Sequence, residues 1–255
     1  MMGAHPPADS AGQPWAGRSF EENPFRDDDG SASPALTAAV AAFRAGTASE
    51  SEVVDALREA RLLIPLVAHL GEAGVNDHGR TVDKSADLSI VSVEGPDGRT
   101  VLPVFSSVEA MQRWRSEARP VPADAVRVAL AAADEGTELV VLDPMSATEF
   151  VVRRPAVWAL AQSLPWTPSY RDPEVVAALC DGASRDRNVT DVQVTSGDPG
   201  GVLAGPEALV TLSLRPGLSA DELTQLIRQI QDEWSATDMI AERVDSLGIQ
   251  VRAAS

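Results

Sequence analysis

Apolar residues change their spacing along this chain, and each change marks an element. From Asp87 to Arg115 they form two short runs, Leu88 to Val93 and Val101 to Phe105, separated by Gly95-Pro96-Asp97-Gly98. Branched runs on either side of such a cluster predict two strands and a tight turn. Ser106-Ser107-Val108-Glu109 follows. Ser106, with Glu109 three residues on, predicts a capping box that opens a helix.

Upstream, the spacing is helical. Ser33-Pro34 reads as a cap followed by proline at the first helical position, with Leu36, Val40 and Phe43 on one face and Gly46 as the stop. Ser49 and Glu52 form a second capping box before Val53, Val54, Leu57 and Ala60. Leu62 to Leu70 reads as a buried strand, and residues 71–85 as a polar loop. After Pro120 and Pro122 comes an Ala-rich helix carrying Val126, Leu130 and Ala133. Leu139 to Leu142 and Phe150 to Val152 read as strands around an Asp143-Pro144 turn, and Pro155 begins a short helix.

Residues 164–171 are Pro-rich and follow neither period, which predicts a stiff linker. Beyond it the pattern is helix, strand, strand, helix, strand. Its strongest periodicity is Leu223, Leu226, Ile227, Ile230 and Trp234, opened by a Ser219–Glu222 capping box. Leu247, Ile249 and Val251 then alternate with Gly248, Gln250 and Arg252, the pattern of a half-exposed strand. Residues 1–33 are rich in Pro, Gly, Ser and Asp, a composition that cannot bury enough apolar surface to order itself. The expected organisation is a disordered tail at 1–33, a first domain at 34–163, a linker at 164–171 and a smaller module at 172–255. The fold class is α+β. A mixed, largely antiparallel sheet with covering helices precedes a helix-strand-strand-helix-strand sandwich.

Composition narrows the function classes. Apolar residues make up 44% of the chain and aromatics only 4%, so the cores are built from Val, Leu, Ile and Ala. The net charge of −17 argues against nucleic acid and anionic membrane as partners, since phosphate neutralisation needs clustered cations. The single cysteine excludes an intrachain disulfide. The first twenty residues lack the charged start and apolar stretch of a secretory signal, and no apolar run reaches membrane-spanning length. These features predict a soluble cytoplasmic protein.

Several blocks, DKSADLSIVSV, TVLPVFSSVEAMQRW, ELVVLDP and FVVRRPAVWALA, occur in an order that resembles the SseB N-terminal domain family, in particular its GC-rich bacterial branch. This is the enhanced-serine-sensitivity family, not the secretion-system protein of the same short name. The resemblance spans about residues 34–162, and the remainder is similar to the C-terminal half of such proteins. It implies an α+β fold and a cytoplasmic location. It brings no catalytic residues, because the family has no established active site.

Candidate chemistry is sparse. Cys180, in Cys180-Asp181-Gly182-Ala183-Ser184-Arg185, superficially resembles a persulfide loop. Such a loop cradles a thiolate in successive amides, whereas Pro173 to Leu179 reads as a helix and Asp181 disfavours the thiolate. A structural cysteine is the plainer reading. His5, His69 and His78 lack metal-ligand spacing, and Asp27-Asp28-Asp29 reads as a solvated charge run. Ser196-Gly197-Asp198-Pro199-Gly200-Gly201 lacks the lysine and helix of a phosphate loop and reads as a hairpin connection.

The remaining polar cluster is Arg153-Arg154-Pro155, where two guanidiniums at a strand end meet a helix start whose free amides favour an anion. Strand alternation predicts that the two side chains point to opposite faces. With Lys84, the only lysine, they are the candidate site for a small carboxylate or phosphate; exposed arginines on an acidic surface are the plainer reading. The sequence therefore predicts a non-enzymatic protein-interaction or small-ligand-sensing protein with no cofactor or metal, whose partner is a protein or a small anion. The alternatives are a thiol-dependent sulfur transferase using Cys180 and a structural subunit of a larger assembly.

Overall fold

The computed structural model describes residues 25–69 and 87–254. Helices α1 (Pro34–Arg44) and α2 (Glu50–Arg58) lead into β1 (Leu62–His69). Strands β2 (Asp87–Ile90), β3 (Val93–Glu94) and β4 (Thr100–Val104) precede α3 (Val108–Trp114), β5 (Arg119–Ala123) and α4 (Ala125–Asp134). Strands β6 (Val140–Leu142) and β7 (Phe150–Val152) and helix α5 (Arg154–Ala161) complete the first module. A single 3-10 turn, Ser169–Arg171, precedes the second module. That module contains α6 (Pro173–Ala183), β8 (Val189–Ser196), β9 (Ala208–Leu214), α7 (Ala220–Ser235), α8 (Asp238–Arg243) and β10 (Leu247–Ala253).

The class is α+β, with mixed and largely antiparallel sheets. In the first module, strands in the order β2-β1-β5 pair antiparallel. A second sheet, β3-β4-β6-β7, contains one parallel pair, β4 with β6. A bridge between Leu63 and Phe105 joins the two sheets. In the second module, β9 lies between antiparallel β8 and parallel β10. Among the described residues no helix is long and apolar enough to cross a membrane.

Local chemistry accounts for most helix starts. The Ser33 side chain accepts from the Leu36 amide, and both capping boxes, Ser49–Glu52 and Ser219–Glu222, are complete. The expected box at Ser106 is corrected by one residue. Ser107 is the cap and accepts from the Ala110 amide. Ser106 instead donates its amide (2.8 Å) and its hydroxyl (2.7 Å) to the buried Asp143 carboxylate. Two elements go beyond the sequence reading, the short α8 and strand β5. The residues of β5, RPVPA, pair with β1 even though two are prolines, which lack an N–H and so suit an edge strand.

The main core lies between α1, α2, α4 and α5 and one face of the sheets, where Leu102, Val104, Val140, Phe150 and Val152 point. Leu63, Phe105 and Met111 form a smaller cluster beneath α3. The opposite face of the four-stranded sheet, with Val101, Val141 and Val151, is covered from the second module by Leu203, in the β8–β9 connection. The second module has its own core, in which Val210 and Leu212 meet Val175, Leu179, Leu226, Ile230 and Trp234.

The boundaries expected on either side of the first domain differ from the structure. Residues 25–33 of the expected tail are placed against the first module, and residues 1–24 lie outside the described residues. The Val108 amide donates to Gly30 O at 2.9 Å, and Arg61 pairs with Asp28 at 2.9 Å and donates to Ser31 O. These contacts to α3 and to the residue before β1 tie the segment down, which its composition conceals. Segment 164–171 is docked rather than free. Trp166 packs on the main core, Arg58 donates to Leu164 O at 2.6 Å, and Ser169 is buried.

Candidate functional site

The Gly-rich stretch between β8 and β9 is the element that clips the modules together. Asp198 gathers the loop: its carboxylate accepts from the Leu203 amide at 2.8 Å and from the Val202 and Ala204 amides at 3.4 and 3.3 Å. Gly201 O accepts from the Val151 amide at the edge of β7, and Arg44 donates to Gly200 O and Glu149 O. Gly201 has φ +59°, and a Cβ there would lie 3.2 Å from the Phe150 ring, so both backbone and space favour glycine.

Arg153 caps α5 and is 5% exposed. Its Nη2 donates to Asp198 Oδ2 at 2.7 Å and to Gly205 O at 2.8 Å, while Nη1 donates to Asp245 Oδ2 at 2.9 Å and to Ser246 Oγ at 3.3 Å. Arg99 meets the same Asp245 with two bonds, 2.9 and 3.0 Å, and also Asp97 at 2.7 Å. Burial pushes the Asp245 carboxyl up, but the guanidiniums of Arg99 and Arg153 outweigh it and hold the group below the usual carboxylate range. Arg153, expected to receive an anionic ligand, thus spends its donors on the protein's own carboxylates.

The same seam holds two further carboxyls. Glu207 accepts from the Ser169 amide at 2.9 Å and the Asp245 amide at 2.6 Å, yet burial raises it. Glu50, at the start of α2, is pushed up to about 7, first by burial and then by the charge of Glu207. Tyr170 beside it is raised to about 12, again by burial first and the Glu50 charge second. Glu50, Asp198, Glu207 and Asp245 are the site residues the sequence reading missed. Only Asp198 carried a signal, an aspartate inside a Gly-rich turn, and its partner lies 45 residues away.

Arg154 points the other way, as alternation predicts. Its Nη2 donates to Ala241 O at 2.9 Å and to Val244 O, and its guanidinium lies 4.8 Å from the Trp158 ring centroid. It forms one wall of a cleft of 790 Å³, which α7, α8 and β10 complete from the second module. Ile227, Ile240, Leu247 and Ile249 give the cleft an apolar floor, and Gln231, Ser235 and Ser246 add a few polar groups. Arg153 and Arg154 therefore serve different surfaces, and Lys84 lies outside the described residues.

Cys180 is half-buried in α6, and its carbonyl accepts from the Ser184 amide. Burial, then the charges of Asp181 and Asp191, pushes its thiol up, away from the thiolate that sulfur transfer needs. Among the described residues no group of three His, Cys, Asp or Glu is placed to hold a metal ion. Within the acidic run, Asp28 pairs with Arg61 and Asp29 accepts from Ser31.

Residues 36–159 match the family model described as the SseB protein N-terminal domain, so the first module is a domain of that family. No curated protein and no solved structure matches the chain.

Proposed function

We propose that this protein, built on an SseB N-terminal domain, is a non-enzymatic cytoplasmic binding protein that acts by protein interaction or small-ligand sensing, with the junction cleft as its binding surface. The observation that carries the reading is the make-up of that cleft. An apolar floor with a few polar groups at its margin is the usual composition of a recognition site. The second module supplies nearly all of the lining and the first contributes Arg154 at its margin, so an occupant beside Arg154 would touch both. Arg154 at the margin pairs with Glu138 at 3.9 Å and Asp245 also lines the cleft, so its charge is balanced and the apolar floor carries the recognition. The sulfur-transferase alternative draws no support from Cys180, whose surroundings favour the neutral thiol.

The test uses the full chain and an Ile227→Gln variant, in a metabolite thermal-shift screen and in affinity capture from cytoplasm. Ile227 is half-buried on α7, so the change alters the floor without opening the core. Burying an isoleucine contributes about 1.5–3 kcal/mol, so a genuine occupant should lose about tenfold or more in affinity. A ligand or partner that binds the variant as tightly as the parent would sink the cleft as its site. If that partner also co-purifies at fixed stoichiometry, the structural-subunit reading takes over.

A further inference from the structure

Glu50 occupies the first turn of α2, where a carboxylate ordinarily faces water. Here it is 9% exposed and turned into the seam between the modules. The groups that face it come from the neighbouring elements: Glu207 and Asp198 from the β8–β9 connection, Tyr170 from the 3-10 turn, and Arg153 from the start of α5. Arg171 lies beside Tyr170. Among the described residues, the cation that faces Glu50 is Arg153, which already binds Asp198 and Asp245. Glu207 is fixed by the Ser169 and Asp245 amides and cannot turn away. A second anion in such a place is costly, whereas a neutral carboxylic acid is not.

We propose that Glu50 is a proton-binding site that latches the two modules, closing the seam when protonated and loosening it when ionised. Burial and the Glu207 charge raise the Glu50 carboxyl to about 7, and Arg153 and Tyr170 offset only part of that rise. Between its ordinary value of 4.5 and about 7, the folded chain holds a proton that the unfolded chain has released. Stability therefore falls as pH rises through that window and levels off above it. A neutral seam is the tight state, so the latch opens on the alkaline side.

The experiment compares full-length protein with Glu50→Gln, an isosteric stand-in for the protonated acid, between about pH 5.5 and pH 8.5. The parent should lose on the order of 5 °C in melting temperature across that range through this group, and the variant should lack that loss. All other titrating groups are common to both proteins, so the difference between the two isolates the Glu50 contribution. Hydrogen-exchange protection of the Val151 amide, which donates across the seam to Gly201 O, should fall with pH in the parent alone. Tyr170→Phe removes a group that favours ionised Glu50, so it should move the transition to higher pH. A Glu50→Gln protein that keeps the parent's slope would overturn the proposal. So would a carbon-13 titration of the parent's Glu50 carboxyl with a midpoint near its ordinary value.

Discussion

At the end of β7 two adjacent arginines face opposite ways, and their surroundings give them different energetic weight. Arg153 is buried with four acceptors, and Asp198 depends on it for a counter-charge. Replacing one member of a buried ion pair leaves the other uncompensated, which costs about 3–5 kcal/mol. Arg153→Met should lower stability by that amount in urea titration. Arg154→Met should cost less, about 1–2 kcal/mol, because its partners are carbonyls near solvent that water can satisfy. Equal, small losses would show that the buried network contributes little. The charge logic of the pair was partly legible in the sequence, since alternation placed the side chains on opposite faces. Their partners were not, because Asp245 lies 92 residues from Arg153.

Among elements, the β8–β9 connection has the largest consequence for its size. Leu203 is 2% exposed, has φ +61°, and closes a sheet face that its own module does not touch. Leu203→Ala should cost about 2–5 kcal/mol by opening a cavity against Val141 and Val151. The Val151 amide should then exchange faster than amides inside α7. Unchanged Val151 exchange would mean that the sheet face is covered without this side chain. Elements whose signals are local were readable from sequence: both complete capping boxes, the Gly95–Gly98 turn and the stripe on α7. The start of α3 was misplaced because two serines stand in tandem and either can cap. Strand β5 was missed because Pro120 and Pro122 argue against a strand, and only its edge position and pairing with β1 make them tolerable. The loop itself read as a plain hairpin connection, since nothing near it in sequence announces the distant surface it covers.

For the molecule as a whole, the Pro-rich stretch at 164–171 suggested two units able to fold apart, whereas the seam binds them through Leu203, Arg153 and Arg99. A fragment of residues 25–163 would expose Val101, Val141 and Val151 and leave both arginines without Asp245. The expected outcome is that 25–163 and 164–255 are each poorly structured or much less stable alone, and recover cooperative unfolding when mixed. Circular dichroism and dispersion of amide resonances, before and after mixing, check this. A 25–163 fragment as stable as the intact chain would show that the seam adds nothing to the first module.

The position of Asp245 also orders events in time. Arg99 and Arg153 precede their shared partner by 146 and 92 residues. At about 5–20 residues per second, a ribosome needs on the order of 5–20 s to travel from Arg153 to Asp245. Through that interval both guanidiniums lack Asp245, although Asp97 already pairs with Arg99 and Asp198 reaches Arg153 after 45 residues. Maturation therefore has a waiting stage, ended by the arrival of the chain's last helix and strand. Early in that stage, before Leu203 is made, the nascent protein presents the apolar face of Val101, Val141 and Val151 that the finished molecule covers.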